Sequence, residues 1–146
     1  MAMTEKEIDN RFSKFGTVSF TGLTRVNDFI DHLQQGRVLG TRCRTCGARY
    51  FPPRADCCKS LDSDMEWFDL PSIGTLLTYS SLSYAPAGFG EDLPYTIAVV
   101  DFGSVRVFGR LDRSLSAEKI AVGLRLRTEV LKLPGGRVSY EFRMLS

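Results

Sequence analysis

Apolar residues change their spacing twice along this chain. In 1–15 the few apolar positions, Ile8, Phe12 and Phe15 among them, recur at helical intervals between charged residues, which predicts a short amphipathic helix. Thr24 then precedes Val26, Phe29, Ile30 and Leu33, an i, i+3, i+4, i+7 stripe that predicts a second helix, and Gly36 stands where a C-terminal cap belongs. Between 37 and 66 the periodicity disappears into basic residues, the pair Pro52–Pro53 and four cysteines. A stretch this poor in apolar residues cannot bury a core of its own and calls for a staple.

From Trp67 onward the period is close to two. Segments 74–84, 95–102, 105–111, 124–133 and 137–144 are rich in β-branched, aromatic or Leu residues and are bounded by Gly, Pro, Asp or Ser, which predicts five strands. Pro134, Gly135 and Gly136 mark a hairpin turn, as do Asp101, Phe102, Gly103 and Ser104. The interval 114–121, with Ser116 as N-cap, has helical character and falls between the third and fourth strands. Five short strands with one helix at that place is the order of an OB-fold, a partly open barrel. The chain is therefore expected to be mainly β: N-terminal helices over 1–36, a rubredoxin-like zinc ribbon over 37–66 and a five-stranded OB-fold barrel over 67–146.

Charge narrows the function. The 146 residues carry a net charge of only +2, so the field of the whole molecule does not argue for nucleic acid or an anionic membrane, and any anion site must be local. No apolar run approaches the roughly 18 residues of a membrane span and no secretory h-region precedes Asn10, so the cytoplasm is the expected compartment. In that reducing setting four clustered cysteines read as metal ligands before disulfides.

Cys43 and Cys46 form a C-x-x-C knuckle relieved by Gly47, the spacing that turns two sulfurs toward one Zn²⁺. The second half is irregular, because Cys57 and Cys58 are adjacent and neighbouring extended residues point to opposite sides. Three readings stay open: a structural zinc held by Cys43, Cys46, Cys57 and Cys58; a site of three cysteines completed by a weaker ligand or lacking its metal; and redox or nucleophilic chemistry of the thiols, against which stands the missing strand-to-helix context of a thioredoxin-like motif. Arg42, Arg44, Arg49, Arg54 and Lys59 concentrate positive charge on the same segment and suit phosphate, although charges that solvate a coreless segment would look the same.

No catalytic constellation is visible. His32 falls inside a helix without an adjacent nucleophile, the acids Asp62, Asp64 and Glu66 read as a solvated edge, and Gly88 and Gly90 open no helix after a strand, as a dinucleotide site requires. The aromatic residues Tyr79, Tyr84, Phe89 and Tyr95 flank the loop 83–94, a place where OB-folds commonly meet ligands, and they also suit a barrel core.

The run GRVLGTRCRTCGARYFPPR, the second cysteine cluster, PYTIAVVDFGSVRVFGRL and the terminal VGLRLRTEV with YEFR resemble the zinc-ribbon plus OB-fold family first catalogued as domain of unknown function family 35. The resemblance spans 28–143 and is most specific in CxxCG followed by FPPR. It implies a non-catalytic accessory subunit bound to a thiolase-like catalytic subunit, helping to form or cover an acyl-CoA site, and it is strongest toward small subunits of bacterial acyl-CoA thiolases, those of the benzoylsuccinyl-CoA type included. It also implies ligands at Cys43, Cys46 and Cys57, with Ser60 where the family has its last cysteine. The rival expectation is a single-stranded nucleic-acid binder, since OB-folds and zinc ribbons both serve that purpose, but the barrel segment mixes acids with bases instead of forming a positive groove.

Overall fold

The computed structural model describes residues 9–19 and 24–145. Among the described residues, eight strands form two antiparallel sheets. The smaller contains β1 (Leu39–Cys43), β2 (Arg49–Tyr50) and β3 (Met65–Asp69) in the order β2-β1-β3. The larger contains β4 (Gly74–Leu82), β5 (Tyr95–Asp101), β6 (Arg106–Arg110), β7 (Arg125–Leu133) and β8 (Arg137–Met144) in the order β6-β5-β4-β7-β8. A parallel bridge between Leu111 and Phe142, with the Asp112 N–H donating to the Phe142 carbonyl at 2.9 Å, brings the end of β6 back onto β8 and closes the barrel in the OB order.

Alternation explains the barrel core. Leu76, Ala98, Val100, Val107, Leu126 and Phe142 are inward-facing members of their strands, and all are buried. Their neighbours Thr75, Val99, Phe108 and Arg125 lie on the other face, because successive side chains of a strand point to opposite sides. The five predicted strands agree with β4 to β8 to within two residues at each end.

The helical expectations shrink. The N-terminal helix is represented by a 3-10 turn at Arg11–Lys14, and 1–8 of that expectation lies outside the described residues. The second helix is α1 (Asp28–Gln34), shorter than the stripe from Val26 suggested. It ends in a Schellman motif: Arg37 N–H donates to the His32 carbonyl at 2.8 Å, Gly36 N–H to the Leu33 carbonyl at 2.9 Å, and Gly36 takes φ +82°. The predicted helix over 114–121 is only a 3-10 turn at Ala117–Lys119 after Ser116, whose side chain makes no capping hydrogen bond. This turn lies within the connection 111–124 from β6 to β7, whose end is received by β4, where the Leu76 carbonyl accepts from Gly123 N–H at 2.8 Å.

α1 packs over β8 and β1. Phe29, Ile30 and Leu33 join Val38 and Val138 in a second core, lined by Phe12, Phe15, Trp67 and Val130. Phe51, Leu70 and Tyr140 touch both cores and weld the small sheet to the barrel; Phe51 meets the Tyr140 ring edge-on at 5.2 Å and Phe29 at 6.0 Å. The stretch 37–66 thus forms no hydrophobic cluster of its own among the described residues but borrows packing from α1 and the barrel. Its base, at Val38, Leu39 and Phe51, is anchored in apolar packing, and the cysteines cluster at the tip beyond it.

Candidate metal centre and docking surface

The tip of the small sheet is built from two turns with matching backbone hydrogen bonds. In the first, Gly47 N–H donates to the Cys43 carbonyl and Cys43 N–H to the Ala48 carbonyl, both at 2.8 Å. In the second, Leu61 N–H donates to the Cys57 carbonyl at 3.0 Å and Cys57 N–H to the Asp62 carbonyl at 2.8 Å. Residues 43–48 and 57–62 thus repeat one hydrogen-bond pattern. Both turns need a left-handed residue at the fifth position; Gly47 supplies it at φ +77°, whereas Leu61 is forced to φ +60° with its side chain 87% exposed.

The repeat carries its side chains to a common point. The sulfurs of Cys43, Cys46 and Cys57 lie within 4.8 Å of one another, with Cys46 and Cys57 at 3.5 Å. Three thiol sulfurs at this separation suit Zn²⁺: tetrahedral bonds of ~2.3 Å place sulfurs about 3.8 Å apart. Ser60 Oγ stands 3.2 Å from Cys43 Sγ, and the Ser60 N–H donates to Cys57 Sγ at 3.4 Å. Cys58 does not join the cluster, contrary to the four-cysteine expectation. Adjacent to Cys57 in the chain, it is exposed and its sulfur lies 3.3 Å from the Tyr50 hydroxyl, which also meets Cys57 Sγ at 3.2 Å.

Hydrogen bonds favour the thiolate at two of the three clustered cysteines, Cys57 and Cys43. Ser60, through its side chain and then its N–H, and the Tyr50 hydroxyl hold the Cys57 thiol down at about 5. Ser60 also lowers Cys43, assisted by the Cys46 N–H. Cys46 moves upward: the Ala48 N–H pulls it down, but the neighbouring Cys57 and Cys43 sulfurs and burial outweigh that bond. The same contacts raise Tyr50, with the Cys57 sulfur as the main cause. A bound zinc would be structural here, tying β1 to the 57–62 turn.

The basic residues divide into two sets. In the β1–β3 register Arg42 faces Glu66, and the two form an ion pair; Arg44 also reaches Glu66, at 3.4 Å, and Asp64, at 3.8 Å. These two guanidinium groups are neutralised within the ribbon, and the acids Asp64 and Glu66 are their partners instead of a merely solvated edge. Asp62 accepts from the Thr45 hydroxyl at 2.6 Å. Arg49 and Arg54 lie over the rings of Phe68 and Tyr50, each 5.1 Å from the centroid, and neither they nor Lys59 has an acidic partner among the described residues. Arg54 is held through its backbone, whose N–H donates to the buried Thr41 hydroxyl at 2.7 Å while that hydroxyl donates to the Arg54 carbonyl at 2.9 Å. It lines a depression with Arg25, Met65 and Trp67. Sequence reasoning passed over Thr41 and Tyr50, whose roles come from strand pairing.

On the barrel, Arg110 organises the 83–94 loop. Its guanidinium sits 4.2 Å from the Tyr95 centroid and 5.5 Å from that of Phe89, and pairs with Asp92 at 3.1 Å. Those two rings are thereby covered on one face and make poor stacking platforms for bases. Tyr79 donates to the Ile120 carbonyl at 3.3 Å, leaving Tyr84 and Phe108 as strongly exposed aromatics. His32 packs its ring edge-on against Trp67 at 4.9 Å, away from any nucleophile among the described residues, and none of the described helices is long and apolar enough to cross a membrane.

Comparison with known proteins agrees with this architecture. The sequence profile of the ChsH2 rubredoxin-like zinc ribbon domain matches 31–66, and that of the ChsH2 C-terminal OB-fold domain matches 67–131. A DUF35 domain-containing scaffold protein of Methanocaldococcus jannaschii is 31% identical over 91 residues, which are 61% of this chain and 64% of that protein, so the match spans less than two thirds of the relative. Among solved structures, a chain of the Ltp2-ChsH2(DUF35) aldolase superimposes with a TM-score of 0.71 at 22% identity, covering 86% of this chain and 98% of that one. A DUF35 protein of unknown function from Sulfolobus solfataricus gives 0.51 at 17% identity, with 90% of each chain covered.

Proposed function

Because the chain belongs to the DUF35 family, with a ChsH2-type zinc ribbon followed by a ChsH2-type OB-fold, we propose that it is the non-catalytic accessory subunit of a thiolase-type acyl-CoA enzyme. The observation that carries this reading is the two-domain arrangement itself, shared over 98% of a chain from an aldolase complex and, in part, with a relative described as a scaffold. The tip of the ribbon and the exposed barrel aromatics Tyr84 and Phe108 are the surfaces offered to the catalytic subunit. In this reading Arg49, Arg54 and Lys59, which have no acid partner among the described residues, meet the CoA phosphates, whereas Arg42 and Arg44 hold the ribbon together through Glu66. The larger subunit supplies the catalytic groups.

The structural relative favours a second reading with the same role for this chain, an aldolase-type partner. Thiolases and aldolases both cleave a carbon–carbon bond next to an activated carbonyl, so one accessory scaffold can serve either. Co-expression with a thiolase from the same genome, followed by size-exclusion chromatography and a thiolysis assay, tests the proposal. A stable complex whose activity exceeds that of either chain alone is the expected result. A thiolase fully active without this chain, and not retained by it, would defeat the thiolase reading; retention of an aldolase instead would establish the second.

A further inference from the structure

We infer that the metal of this ribbon is held by three thiolates and the hydroxyl oxygen of Ser60, and that Cys58 is not a ligand. The argument rests on the internal repeat. Aligning 43–48 with 57–62 by their shared backbone hydrogen bonds pairs Cys43 with Cys57, Cys46 with Ser60, and Gly47 with Leu61. The side chain at the fourth position of the second turn is fixed from behind, because Asp62 N–H donates to Ser60 Oγ, two residues back, at 3.3 Å. Ser60 Oγ is therefore aimed as the ligand sulfur of the first turn is aimed. Its 3.2 Å separation from Cys43 Sγ lies a few tenths of an ångström inside the edge of about 3.6 Å expected between a sulfur at ~2.3 Å and an oxygen at ~2.1 Å on one tetrahedral zinc.

Cys58 has no equivalent position. Its counterpart in the first turn is Arg44, an outward-pointing residue, and its sulfur is turned to the Tyr50 hydroxyl. The outcome is a site with three soft ligands and one hard, weaker one, which releases its ion faster than four thiolates would, and one thiol left free for reaction.

The test uses the full chain by itself, so it stands or falls independently of any partner enzyme. Co²⁺ is bound in place of zinc, and the thiolate-to-metal absorption is recorded together with the rate of metal loss to a chromogenic chelator. We expect one Co²⁺ per chain with three thiolates' worth of absorption. Ser60→Cys should raise that absorption by about one third, four thiolates against three, and slow metal loss by about 10- to 100-fold. Ser60→Ala should keep the absorption, shift the ligand-field bands and speed metal loss. Cys58→Ser should change neither. Alkylation of the zinc-loaded protein, mapped by mass spectrometry, should modify Cys58 alone. Loss of absorption in Cys58→Ser, protection of Cys58 from alkylation, a Ser60→Ala protein unchanged in both spectrum and release rate, or failure of the wild type to bind a stoichiometric ion would each overturn the assignment.

Discussion

Gly40 ties the fold to the metal centre, and its replacement by alanine should uncouple them. A Cβ at this position would fall 2.4 Å from the Tyr50 carbonyl oxygen and 2.8 and 2.9 Å from Cε1 and Cζ of Phe68. Phe68 is the direct partner of Gly40 in the β1–β3 register, so its ring lies across the space a side chain would fill. Relief requires β2 to move by about an ångström, yet the next residue, Phe51, is wedged between both cores and the Tyr50 hydroxyl is engaged with Cys57 and Cys58. Overpacking of this kind costs about 1–3 kcal/mol. For a chain of this size that lowers Tm by roughly 2–12 °C. Thermal melting by circular dichroism, run beside metal analysis, is the assay, with Gly90→Ala as control because a Cβ there meets nothing within 4 Å. Gly40→Ala should melt lower and retain its metal less well, while Gly90→Ala should stay within about 0.5 kcal/mol of wild type. If Gly40→Ala melted with the wild type and kept its metal, the claimed rigidity of the β1–β2–β3 packing would be wrong.

Leu61→Gly should stabilise the protein: removing a left-handed leucine recovers ~1–2 kcal/mol, glycine's unfolded-state freedom takes back ~0.5–1 kcal/mol, and a side chain 87% exposed has little burial to lose, so Tm should rise by a few degrees. The metal-free protein should weaken on acidification. The Cys57 thiol is held at about 5 in the folded state, below its unfolded value of ~8.5, so the stabilisation is complete above ~8.5, declines as pH falls and is gone below about 5; denaturant titrations across that interval should show the slope, and Cys57→Ser should flatten it. Arg110→Ala should free the 83–94 loop by removing its contacts to Tyr95, Phe89 and Asp92, seen as faster amide exchange confined to that loop with the barrel strands unchanged.

The barrel was legible because alternation is a local signal. Leu76, Val100, Val107 and Leu126 each sit among neighbours that announce a strand, and Pro134-Gly135-Gly136 announces the turn between the last two. The helices were less legible: a stripe such as Val26, Phe29, Ile30 and Leu33 shows which residues face a core but not how many turns the backbone completes, and Val26 is buried although it precedes α1. The small strands β1 to β3 went unseen because they are too short and too mixed in polarity to show a period, and their existence depends on pairing across as many as 30 residues, as between Leu39 and Asp69.

At the site, spacing alone identified the Cys43–Cys46 knuckle, because a C-x-x-C turn brings its sulfurs to one side, whereas Cys57 and Cys58 stood together as candidates and only the family resemblance singled out Cys57. Composition could not say that Arg42 and Arg44 are spent on Glu66 and Asp64, since that follows from the β1–β3 register. Nor could it choose between Cys58 and Ser60: thiol chemistry favoured the cysteine, and the direction of each Cα–Cβ bond in a folded turn favoured the serine. Local chemistry and periodicity were thus written in the chain itself, and what the tertiary structure alone decided was which of the available groups point at one another.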